Sequence, residues 1–164
     1  MTALLFLLLS SQFPSATETA WMEPSAFHLL MGDSRENVSA AFERRGWALE
    51  PGESADTLVH PYDDTKNVVL GFRDDRLTSV RFELVSFHPQ LARDWAEVKN
   101  RLRERFGEPE VSRPPLLLQR TAAFTIHAVL NDSPDSELGR AGAGMIIVRY
   151  FVPDSSDDPD ETRR

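Results

Sequence analysis

Apolar and polar residues alternate most clearly over residues 67–85. Val68, Leu70 and Phe72 alternate with neighbours that face the other way, and Thr78, Val80, Phe82 and Leu84 resume the alternation. Between them lies a charged turn, Arg73 to Arg76. Two period-2 runs around a polar tetrapeptide predict an antiparallel hairpin with one side seeking cover. The side opposite the apolar set carries Arg73, Ser79, Arg81 and Glu83, the candidate binding residues if that side stays open.

Helical patterns stand on both sides of this hairpin. Asp33 followed by Glu36 has the form of a capping box, Val38, Ala41, Phe42 and Arg45 share one side, and Gly46 ends the run. The second helix opens at Pro89, and Leu91, Trp95, Val98, Leu102 and Phe106 recur at helical spacing until Gly107 caps it and Pro109 blocks resumption. Residues 57–62 read as a short strand that Pro61 confines to an edge or an end. Pro114 and Pro115 begin a loop, residues 124–130 and 145–152 are near-continuously apolar strands, and residues 131–144 form a long polar connection. The expected fold class is therefore α+β, with two helices packed on one face of an antiparallel sheet of roughly five strands. A helix ending in Gly followed by strands occurs twice, which points to tandem halves, 27–86 and 89–152, inside one domain spanning 21–153.

The flanks read differently. Residues 1–20 contain an apolar run, Ala3 to Leu9, too short for a bilayer span of about 20 residues and matching the hydrophobic part of a secretory signal. No Lys or Arg precedes Arg35, so the expected basic start is missing and the true start is expected upstream. A secreted or periplasmic location follows as an expectation. Residues 154–164 form a tail without hydrophobes, expected to be disordered, with Asp154, Asp157, Asp158, Asp160 and Glu161 making it acidic.

A net charge of −8 opposes nucleic-acid binding, which needs a basic stripe. The absence of cysteine removes disulfides, thiolate metal sites, cysteine nucleophiles and lipid attachment through an N-terminal Cys. Gly32-Asp33-Ser34 after an apolar stretch superficially matches the nucleophile block of GDSL hydrolases, which would make Ser34 a nucleophile. That chemistry needs a general base, and the family draws it from a histidine near the C-terminus, whereas no histidine follows His127. His28, His60, His88 and His127 are scattered without metal-ligand spacing, and a His/Asp site would have to assemble in three dimensions, for example from His60 with Asp63 or Asp64. Asp63-Asp64 and Asp74-Asp75 lack the alternation and central Gly of a calcium loop. Asn37-Val38-Ser39 matches a glycosylation acceptor inside a predicted helix. No cofactor or metal is expected. Trp21, Trp47, Tyr62 and Trp95 are candidates for an aromatic recognition patch, although Trp47 and Trp95 also suit the core.

Residues 30–34 with Val38 and Phe42, then residues 69–80 with their Phe72, Asp74, Asp75, Leu77 and Val80 pattern, and the Arg105-Phe106-Gly107-Glu108-Pro109 helix ending together carry a resemblance. The chain resembles small exported domains of the type found in the small lipoprotein of the outer-membrane barrel-assembly machine and in the β-lactamase-inhibitor protein. The resemblance implies helices on one face of an antiparallel sheet and a binding or assembly role for the other. The chain departs from the first in lacking an anchoring Cys and from the second in lacking cysteines altogether. The expected function is thus a non-enzymatic exported domain that binds another envelope or secreted protein. A Ser34 hydrolase and a structural subunit that homodimerises by edge-strand pairing are the alternatives.

Overall fold

The computed structural model describes residues 19–113 and 115–153. After a 3-10 turn at Pro24–Phe27 the elements run α1 (Arg35–Glu43), β1 (Glu50–Pro51), β2 (Thr57–Asp63), β3 (Lys66–Arg73), β4 (Arg76–Phe87), α2 (His88–Phe106), β5 (Val111–Arg113), β6 (Leu116–Arg120), β7 (Thr125–Asn131), α3 (Glu137–Arg140) and β8 (Ala143–Phe151). Among the described residues the strands form one eight-stranded sheet in the order β1-β2-β3-β4-β8-β7-β6-β5, with every neighbouring pair antiparallel. Each half is a helix followed by a four-strand meander, and the halves join where β4 pairs with β8.

The α+β class and the antiparallel sheet match the sequence reading, but the sheet has eight strands where about five were expected, and α3 lies within the expected loop of residues 131–144. The additional strands β1, β5 and β6 hold two, three and five residues, too few to show a period. β6 begins at Leu116, directly after the Pro114-Pro115 pair that was expected to open a loop.

The buried side chains share one face. Val68, Leu70 and Phe72 of β3 and Val80, Phe82 and Leu84 of β4 point the same way as Ile146, Val148 and Tyr150 of β8 and Ile126 and Ala128 of β7. Val38 and Phe42 of α1, Leu91, Trp95, Val98 and Leu102 of α2, and Trp21, Met22, Phe27 and Leu29 of the lead-in complete one core with them. Thr78 is not the inward residue that the alternation suggested. Gly71 opposes Ser79 while Phe72 opposes Leu77, so Thr78 is a bulged extra residue and Leu77 takes its place in the core.

Local chemistry accounts for the helix ends. Ser34, one residue after the expected Asp33, is the cap of α1: its Oγ accepts from the Asn37 N–H at 3.2 Å. Pro89 occupies the first turn of α2 and Gly107, at φ 85°, ends it. Thr19, assigned by sequence to the leader, already belongs to the fold. It is buried, and its hydroxyl donates to Glu97 Oε1 at 2.8 Å. The expectations for residues 1–18 and for the acidic tail lie outside the described residues.

Candidate functional site

The face of the sheet turned away from the helices is built by simple alternation. Every strand residue between two core residues projects onto it. Strand register then sets its rows. Val69, Arg81, Arg149, His127 and Leu118 lie side by side across β3, β4, β8, β7 and β6. The next row is Asn67, Glu83, Ile147, Val129 and Leu116, and on the other side run Gly71, Ser79, Phe151 and Thr125. Val69, Val129, Ile147, Leu116, Leu118 and Phe151 are only partly buried and belong to no part of the core cluster. The result is an aliphatic field crossed by a charged band.

Three of the four residues expected to form a binding surface lie together here. Ser79, Arg81 and Glu83 occupy alternate positions of β4, and Ser79 Oγ fills the space where a Cβ on Gly71 would stand. Arg73 is elsewhere, at the hairpin tip opposite Arg76. Sequence reasoning did not find Arg149, His127, Ile147 and Val129, which β4–β8 and β7–β8 pairing bring beside Arg81 and Glu83. Residues 124–130 and 145–152 read as near-continuously apolar, which left the outward positions unmarked except where His127 and Arg149 interrupt.

The band holds one ion pair and one cation–π contact. Arg81 Nε lies 2.9 Å from Glu83 Oε1, but off the angle of a hydrogen bond. The Arg149 guanidinium lies over the Phe151 ring at 4.9 Å, and His127 meets the same ring edge-on at 5.1 Å. Burial, then the charges of Arg149 and Arg120, hold the His127 imidazole below its usual pKa, so it is disposed to be neutral.

Trp21, Trp47, Tyr62 and Trp95 do not form a patch on this face. Trp21 stacks on Tyr62 at 5.5 Å, Phe27 contacts Phe42, Trp47 and His60, and Trp95 is a buried residue of α2, all on the helix-covered side.

The hydrolase residues are equally dispersed. Ser34 Oγ caps α1. His60 Nδ1 contacts the Ala48 carbonyl at 2.7 Å, His88 Nε2 lies 2.9 Å from Asp132 Oδ1, and His28 closes the 3-10 turn at φ 57°. Asp63 accepts from Thr65 and pairs with Lys66 instead of joining His60. Among the described residues no group of three His, Asp or Glu side chains could hold a metal ion. A separate cavity of about 420 Å³ lies between α2 and the start of β3, with Asp94 at its wall. That carboxylate is already engaged, accepting from Ser86 Oγ at 2.6 Å and Gln90 Nε2 at 2.9 Å. No described helix is long and apolar enough to cross a membrane. The outermost strands are short: β1 has two residues, one of them Pro51, and β5 has three. Comparison with protein-family models, with curated proteins and with solved structures finds no match.

Proposed function

We propose that the chain is a non-enzymatic, exported protein-binding domain that meets another envelope or secreted protein through its uncovered sheet face. One observation carries the reading. Six apolar side chains, Val69, Leu116, Leu118, Val129, Ile147 and Phe151, stand partly exposed on one continuous sheet face, around a charged band. A soluble domain normally sets polar residues on an open antiparallel face, and contiguous apolar surface rimmed by charge marks an interaction site. The finer resemblance to exported assembly and inhibitor domains agrees with this reading, and so does the signal-like apolar segment.

The test is capture from envelope extract with the wild-type chain, with Ile147→Glu and Val129→Glu on the open face, and with Glu104→Arg on the exposed side of α2 as control. A species held by wild type and control but lost with both face variants supports the reading. Equal capture by all four overturns it.

A further inference from the structure

The charged band on the open face holds its own complement. Arg81 and Glu83 stand two residues apart on β4, with Arg81 Nε 2.9 Å from Glu83 Oε1, so cation and anion lie in adjacent rows. On β8 their register partners are Arg149 and Ile147. Across β7 and β6 the first row continues as His127 and Leu118 and the second as Val129 and Leu116. In a two-fold contact residue i of one copy meets j of the other, and j meets i. A two-fold axis lying across the strands, midway between these rows, exchanges them. Arg81 of each copy then faces Glu83 of the other, Leu118 faces Leu116, and Arg149 faces Ile147 with the opposing Glu83 beside it.

We propose that a second copy of this chain covers the open face when the chain is alone, in a reversible dimer with the two sheets stacked face to face. The inference rests on the reading of this face as a protein-docking surface and names one occupant for it, which a different partner would displace. Two features select the arrangement. The two Arg81–Glu83 pairs lie head to tail and form a ring of alternating charge, whereas an axis along the seam between β4 and β8 would set Arg81 against Arg149, a like-charge contact that opposes association. The apolar residues flank that ring on the β8, β7 and β6 side in both copies, so they meet each other and not water. Stacked sheets cross at about 30°, which shifts the outer strands and leaves the central contacts in place. The strands β3, β4, β8, β7 and β6, about 4.8 Å apart and about seven residues long, give roughly 550 Å² on each copy. A total of roughly 1,100 Å² lies at the low end for a specific interface, so the dimer is weak and the dilute chain is monomeric.

Sedimentation of the full chain from about 1 µM to about 500 µM spans the affinities of weak complexes. Wild type and Glu104→Arg, on the exposed side of α2, are expected to pass from monomer to dimer over that range, and Ile147→Glu to stay monomeric. Arg81→Glu gives β4 two acids and Glu83→Arg gives it two bases. Each alone is expected to lose self-association, and an equimolar mixture of the two to regain it, because acids on one copy then face bases on the other. Urea midpoints check that every variant is folded. A wild type that stays monomeric throughout overturns the proposal. So does association that persists in Ile147→Glu, or a mixture that associates no better than its components. The two readings of the face fail separately: a monomeric wild type that still captures a species through this face refutes the dimer alone, and a dimer whose face variants capture as wild type does refutes only the docking of another protein.

Discussion

Two neighbouring isoleucines on β8 test the one-sidedness of the sheet. Ile146 is fully buried among core residues, whereas Ile147 projects between Glu83 and Val129 on the open face. Replacing isoleucine by alanine removes three carbons, worth about 2.4 kcal/mol at about 0.8 kcal/mol per buried CH₂. At Ile146 an unfilled cavity adds to this, for a total of about 3–4 kcal/mol. At Ile147 part of that surface is already in water and solvent fills the gap, so the loss is about 1 kcal/mol. Both changes lose similar β-propensity, up to about 1 kcal/mol, which cancels in the comparison. The expected gap of about 2–3 kcal/mol corresponds to roughly 5–10 °C in Tm for a chain of this size. Urea unfolding of Ile146→Ala and Ile147→Ala measures it, provided the m-value is unchanged. Equal losses refute the reasoning, because Ile147 would then be packed as tightly as Ile146.

Ser34→Ala should cost about 1 kcal/mol of unfolding free energy and Ser34→Asp should recover most of it, as expected of a helix cap and not of a nucleophile. Asp74, at φ 47° in the hairpin turn, should gain about 0.5 kcal/mol on substitution by Gly, which adopts that conformation freely, again read by urea midpoint. Tyr150→Phe removes the hydroxyl that donates to the Met22 carbonyl at 3.2 Å and should cost about 1 kcal/mol, with faster amide exchange in the lead-in. His127 gives a pH dependence. Its folded pKa is lowered, first by burial and then by Arg149 and Arg120, so between that value and 6.5 the unfolded chain binds the extra proton. Its contribution to stability is present above pH 6.5 and is lost as pH falls through the folded pKa; His127→Gln should flatten that part of the stability profile.

The elements legible in the sequence were those whose pattern is local. The residue 67–85 hairpin and α2 each carry enough apolar repeats to define a period, and Gly107 and Pro109 mark the stop. What failed was short or displaced by one residue. β1 and β5 are below the length at which alternation means anything, and Leu116–Leu118 in β6 is a continuous apolar run that follows two prolines. The Thr78 error came from a bulge, which shifts the parity of everything before it and leaves no trace in composition. Ser79, Arg81 and Glu83 could be placed on the open face because their own strand alternates. Their neighbours Arg149, His127 and Ile147 could not, because adjacency there depends on pairing between distant segments.

That dependence bears on how the face works. Neither meander alone contains the juxtaposition of Arg81 with Arg149, because one residue comes from β4 and the other from β8. It is created at the seam, where the twelve-residue β4 and nine-residue β8 pair along their length in the middle of the sheet. Central strands are the last parts of a sheet to open, so this register persists wherever the sheet is folded. The apolar residues beside the two arginines, Ile147 and Val129, are held by the same pairing. Charge and apolar surface therefore lie side by side only when the two meanders are joined along this seam.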